Sequence, residues 1–240
     1  MAAPWSYLLC GTPRTGSTFL CSLLASTDVA GRPESYFREP DEQAWAARFG
    51  VSVACDGSFD YRAFAAGALR ASRTTNGVFA ARIMWGTMHL VVDGLRPGGT
   101  AETDLEVLAD TFGRLRMVHL QRDDVVGQAV SWARAEQTGY WQRGDVSTTE
   151  PALDLEQVDE LVRTIQAHNA AWLSWFAAQG IRPHVVKYDA LAADPERTVR
   201  SILDHLDVKA PAGWRAASTH PKQADEVNAE WVRRYRSSQR

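Results

Sequence analysis

Trp5-Ser6-Tyr7-Leu8-Leu9-Cys10-Gly11-Thr12-Pro13-Arg14-Thr15-Gly16-Ser17-Thr18 is the stretch from which the fold is read. The run up to Cys10 is apolar and short, Gly11 breaks it, and from Ser17 onward Leu20, Leu23, Leu24 and Thr27 recur at helical spacing. The pattern is strand, tight loop, helix. Gly11 and Gly16 stand at the GxxxxG spacing of a phosphate loop, where glycines let backbone N–H groups and a helix N-terminus cradle an anion.

Outward from this loop the chain alternates strand and helix signals. Asn76-Gly77 marks a turn before the apolar run Val78 to Trp85, whose one charge is Arg82. Leu105, Leu108, Ala109 and Phe112 predict a helix stopped by Gly113, and Leu115 to Leu120 predicts the next strand. Asp123-Asp124 caps an expected helix that carries Val126, Ala129, Val130 and Ala133 and runs to about Tyr140. Val158 to Phe176 predicts the longest helix, ended by Gly180; a strand over His184 to Tyr188 and a helix through Leu206 follow. The expected fold class is α/β, a phosphate-loop-like parallel sheet flanked by helices, with its ligand site at the carboxyl ends of the strands. Residues 38–76 and 139–153 are polar, show no clear periodicity, and are the expected acceptor-binding loops.

Composition bounds the function. The 240 residues are 45% hydrophobic and 23% charged, which suffices for the core of a domain spanning residues 1–240. With 26 Lys+Arg against 29 Asp+Glu the net charge is -3, so no global basic field recruits nucleic acid or an anionic membrane. Three cysteines without CxxC or a histidine cluster predict core thiols in a reducing cytoplasm, with neither a disulfide framework nor a zinc site. With no basic residues before the first apolar run, and no stretch approaching the ~20 apolar residues that span a bilayer, the chain is expected to be a soluble, cytoplasmic protein.

The loop departs from a nucleotide triphosphate site in two ways. The position after Gly16, which there holds the lysine that reaches the terminal phosphates, is Ser17. The strand that would carry a magnesium carboxylate runs instead into Gln121 and Arg122. A lysine-less phosphate loop with an arginine at a later strand end suits a donor with two separate anionic groups. A P-loop kinase and a non-catalytic nucleotide-binding protein of the same fold are the alternative readings.

The chain resembles the Stf0-type sulfotransferases. The likeness lies in TPRTGSTFL at 12–20, GRPESYF at 31–37, NGVFAARIMW at 76–85, RDDVVGQAVSWARAEQTGYW at 122–141, KYDALAADPE at 187–196 and KQADEVNAEWVRRYR at 222–236. It implies the donor 3′-phosphoadenosine 5′-phosphosulfate, no metal, and sulfuryl transfer to a hydroxyl of a small molecule. The acceptor it implies is a glycan such as trehalose, or a glycolipid; a phenol or another metabolite stays open. A homodimer is implied as well.

Site residues carry over where positions match. Arg14, Thr15, Gly16, Ser17 and Thr18 correspond to the 5′-phosphosulfate loop, Arg122 and Ser131 to the pair that holds the 3′-phosphate, and Lys222 and Gln223 to a late loop over the nucleotide. Arg14 and Arg82 are expected to stabilise the group in transfer. The family pattern G-x-P-x-E-F-F holds a proposed basic glutamate where this chain has Ser35; Glu34 lies one residue earlier and is the expected base. Trp141 is expected either to line the acceptor site or to pack beneath its loop.

Overall fold

The computed structural model describes residues 6–96, 98, 102–141, 149–216 and 226–239. Its elements, in chain order, are β1 (Ser6–Gly11), α1 (Ser17–Ala25), α2 (Glu42–Arg48), α3 (Tyr61–Ser72), β2 (Phe79–Met84), α4 (Trp85–Leu95), α5 (Asp104–Phe112), β3 (Leu115–Gln121), α6 (Val125–Thr138), α7 (Leu155–Ala178), β4 (His184–Lys187), α8 (Tyr188–Ala193), α9 (Pro195–His205) and α10 (Glu226–Ser238). The strands form one four-stranded sheet in the order β2-β1-β3-β4, and every pairing is parallel. Parallel neighbours require crossovers, which the helices supply.

Alternation along β1 divides the core. Leu8 and Cys10 face one side with Ile83, Phe112, Met117 and Trp172. Tyr7 and Leu9 face the other with Leu20, Leu24, Val118 and Ile202. Both faces of β1 are buried, as expected of a central parallel strand. A third cluster joins α6 and α7 to Trp231 and Tyr235 of α10. Among the described residues no helix is long and apolar enough to cross a membrane.

Four boundaries differ from the sequence reading. The polar stretch 38–76 contains α2 and α3. Asp60 caps α3, accepting from Arg62 N and Ala63 N, but its core face is Phe64, Ala65, Gly67 and Ala68, too small in side-chain volume to register as an apolar stripe. Gly67 is there for space, since a Cβ would stand 2.5 Å from the Cβ of Phe49. The strand expected through Trp85 ends at Met84, and Trp85 already begins α4. Likewise Tyr188 begins α8, and α6 stops at Thr138 because Gly139 takes a left-handed φ of 68°. Cys10 and Cys21 are core thiols as expected, but Cys55 is exposed in the turn between Val53 and Phe59.

The chain leaves β1 for β2 on one side and later returns to β3 on the other. The carboxyl end of β1 is therefore a topological switch point, where an open α/β sheet leaves a crevice. Gly11 pairs with Met84 and Cys10 with His119, which brings the residues following all three strands to that end.

Candidate active site

Gly11 ends β1 and α1 begins at Ser17, so Thr12 to Gly16 form the loop over the switch point. Gly16 has φ 82°, and a Cβ there would sit 2.8 Å from Tyr188 Cδ2; both conformation and space demand glycine. Arg14 is left-handed too, at φ 66°, a conformation that costs an ordinary residue about 1–2 kcal/mol. The first N–H groups of α1 have no helical partner and face the loop, a natural seat for an anion.

Three guanidinium groups attend the two ends of this loop, Arg82 at one and Arg14 with Arg122 at the other. At the start of α1, Arg82 of β2 donates from Nη1 to Thr18 Oγ1 at 2.8 Å and to Ser17 Oγ at 3.4 Å. Its Nε donates to Ser35 Oγ at 2.7 Å, and its main-chain N–H donates to Glu34 O at 3.0 Å. The Gly31 to Phe37 segment thus runs alongside β2, close enough that a Cβ on Gly31 would meet Ala80 Cβ at 2.9 Å. Ser35 faces Arg82 and Glu34 is exposed. Burial pushes the Cys21 thiol in α1 up to about 12, with the Arg82 charge opposing and the Glu34 charge adding, so both charges are felt at the same helix.

The other end belongs to α6. Arg14 donates from Nε to Ser131 Oγ at 3.0 Å and from Nη1 to Trp141 O at 2.6 Å. Arg122, directly after β3, donates from Nη1 to Arg14 O at 3.3 Å, and its guanidinium lies 4.7 Å from the centroid of the Tyr188 ring. Its Nε is buried with no hydrogen-bond partner among the described residues. The ion pair of Arg122 with Asp124 is long, 3.8 Å, because that carboxylate caps α6 through Gly127 N and also takes Arg236 at 3.0 Å. Asp123 is held by Lys187 at 2.7 Å.

The expected pair Arg14 and Arg82 therefore divides between the two ends, with Arg14 beside Ser131 and Arg82 beside Ser17 and Thr18. Thr15 is buried and turns its hydroxyl back to Thr12 O at 3.0 Å. Trp141 is 37% exposed, and its main-chain carbonyl accepts from Arg14. Lys222 and Gln223 lie outside the described residues. His119, fully buried against Trp172 and Phe176, has its pKa lowered to about 4 by burial and by Lys187, so it is a neutral core group. Sequence reasoning missed Tyr188, which a single tyrosine after a strand gave no means of finding.

The Stf0 sulphotransferase family model matches residues 6–238. A trehalose 2-sulfotransferase of Mycolicibacterium smegmatis is 28% identical over 255 residues, covering 97% of this chain and 95% of that protein. One from Mycobacterium tuberculosis is 30% identical over 260 residues, covering 96% and 94%. Among solved structures, the sulfotransferase domain from the curacin biosynthetic pathway superposes with TM-score 0.53 at 16% identity, covering 86% of this chain and 75% of that one. The sulfotransferase domain of the Synechococcus PCC 7002 olefin synthase gives TM-score 0.52 at 14% identity, covering 99% and 89%. The structural likenesses bear on the fold; the match across residues 6–238 and the near-full-length relatives show that the chain belongs to the Stf0 sulphotransferase family, enzymes of the sulfuryl-transfer class.

Proposed function

We propose that the protein moves a sulfuryl group from 3′-phosphoadenosine 5′-phosphosulfate to a hydroxyl of a carbohydrate. The observation that carries this reading is the separation of two basic groups at opposite ends of one phosphate loop, Arg82 with Ser17 and Thr18 at one end and Arg14, Arg122 and Ser131 at the other. A nucleotide anionic at both its 5′ and 3′ positions needs two such groups. The fit is supported by Arg122 Nε, a buried charged donor that has no partner among the described residues and would find one in a phosphate. The names of the two mycobacterial relatives support a sugar such as trehalose as acceptor.

In this reading the loop N–H groups and Ser17 hold the 5′ end, while Arg122 and Ser131 hold the 3′-phosphate. The acceptor oxygen attacks the donor's sulfur in line as the bond from sulfur to the 5′-phosphate oxygen breaks, and adenosine 3′,5′-bisphosphate leaves. Arg82 stabilises charge as it moves off sulfur, Glu34 takes the acceptor's proton, and Trp141 offers an aromatic face to the sugar.

Adenosine 3′,5′-bisphosphate is expected to raise the melting temperature, and AMP, without the 3′-phosphate, to do so far less at equal concentration. A thermal-shift titration checks this, and equal stabilisation by AMP refutes the two-anion reading. Arg122→Ala is expected to weaken bisphosphate binding by about 1.5–3 kcal/mol, the worth of hydrogen bonds to a charged group, with the circular dichroism spectrum unchanged. Isothermal titration measures it; undiminished affinity would remove Arg122 from the site.

A further inference from the structure

The loop carbonyls from Gly11 to Arg14 are each taken by a side chain. Trp172 Nε1 donates to Gly11 O at 2.9 Å, Thr15 Oγ1 to Thr12 O at 3.0 Å, Gln128 Nε2 to Pro13 O at 2.7 Å, and Arg122 Nη1 to Arg14 O at 3.3 Å. The Thr12 hydroxyl donates in turn to Asn169 Oδ1 at 2.9 Å. Gln128 comes from α6, and Trp172 and Asn169 come from adjacent turns of α7. The C=O and N–H of a trans peptide point opposite ways, so a carbonyl fixed toward these helices turns the following N–H away from them. A free loop carbonyl could rotate toward a bound anion and repel it.

Arg14 is where rotation is easiest. Its left-handed φ of 66° is disfavoured for a residue with a Cβ, and such conformations persist where the surroundings over-determine them. The two peptides flanking Arg14 are those held by Gln128 and Arg122. Gln128 is fully buried, and its Oε1 has no hydrogen-bond partner among the described residues. An amide buried with one end unmatched stabilises a core less well than an apolar side chain of its size. What Gln128 supplies is its bond to Pro13 O.

We infer that Gln128 and Trp172 are positioning residues, which hold the loop carbonyls back so that its N–H groups face the 5′-phosphate end of the donor. The inference rests on the proposed donor. Its test uses Gln128→Met, which keeps the side-chain length, deletes the donor to Pro13 O and also removes the unmatched oxygen. Adenosine 3′,5′-bisphosphate is compared with adenosine 3′-monophosphate, which lacks the 5′-phosphate, by isothermal titration alongside the melting temperature.

The expected result is a bisphosphate affinity lowered about three- to tenfold, as for one hydrogen bond lost. The 3′-monophosphate affinity and the melting temperature should be unchanged. Retained bisphosphate affinity overturns the inference; so does an equal loss for both nucleotides, the mark of a general loosening. Trp172→Phe is the second variant, and it decides the matter should Gln128→Met fail to fold. It keeps a ring to stack on Phe176, now 5.4 Å away, and deletes the donor to Gly11 O together with part of a fully buried ring, so a lower melting temperature accompanies it; the selective loss of bisphosphate over 3′-monophosphate affinity is still expected, and its absence is refutation. If the unaltered protein binds neither nucleotide, the donor reading itself falls, an outcome distinct from both.

Discussion

Arg82→Ala is expected to lower kcat by about 10²–10³, the effect of deleting one preorganised donor from a site of developing charge. Bisphosphate affinity should change by less than about tenfold, because the loop amides and the Arg122 group remain. The Arg82 guanidinium is held through Ser35 Oγ and Thr18 Oγ1, and its main chain through the N–H on Glu34 O, which preorganises it for the reaction. Its deletion leaves only hydroxyls that can turn to water, and the fold should survive. Arg82→Lys keeps the charge but not the planar fork that spans Ser35 and Thr18, so an intermediate rate is expected. Single-turnover transfer to trehalose, followed by the gain of one sulfonate in the mass spectrum, measures the step. A variant that turns over normally while losing bisphosphate affinity would move Arg82 from the reacting group to donor binding.

How much of this was legible in the sequence depended on the range of the interaction. The loop itself was legible, because strand, GxxxxG and helix are local signals, and the four strands could be read from short apolar runs. The α3 helix was not, since Ala65, Gly67 and Ala68 bury a face with almost no side chain on it. The partners of the arginines were also hidden. Arg82 reaches Thr18 across 64 positions and Arg14 reaches Ser131 across 117, and no local pattern encodes such pairs. For the same reason nothing in the sequence marks Trp172 and Asn169, both within the longest helix, as partners of the first loop, to which they reach back. The left-handed turn at Arg14 was the least legible feature, because a non-glycine residue gives no warning of it.

Glu34→Gln is expected to lose about 10²–10⁴ in rate while keeping bisphosphate affinity, the usual contribution of a general base that does not touch the donor. Tyr36 and Phe37 anchor the segment in the core, with Tyr36 Oη donating to Arg32 O at 2.8 Å, and Arg82 N–H holds the Glu34 carbonyl. Between these anchors Ser35 turns to Arg82, and the Glu34 side chain is exposed. Ser35 accepts a hydrogen bond from Arg82, a cation that opposes further positive charge, so the serine is poorly placed to receive a proton. The rival groups are less available. Asp41 is engaged by Arg38 at 2.7 Å, and His119 is sealed within the core. Glutamine keeps the size and hydrogen-bonding reach of Glu34 and removes only its basicity, so lost rate with retained binding would report the proton transfer itself. Turnover by Glu34→Gln near the unaltered rate, with the acceptor saturating, would dismiss Glu34 and leave Glu39 as the nearest carboxylate to test.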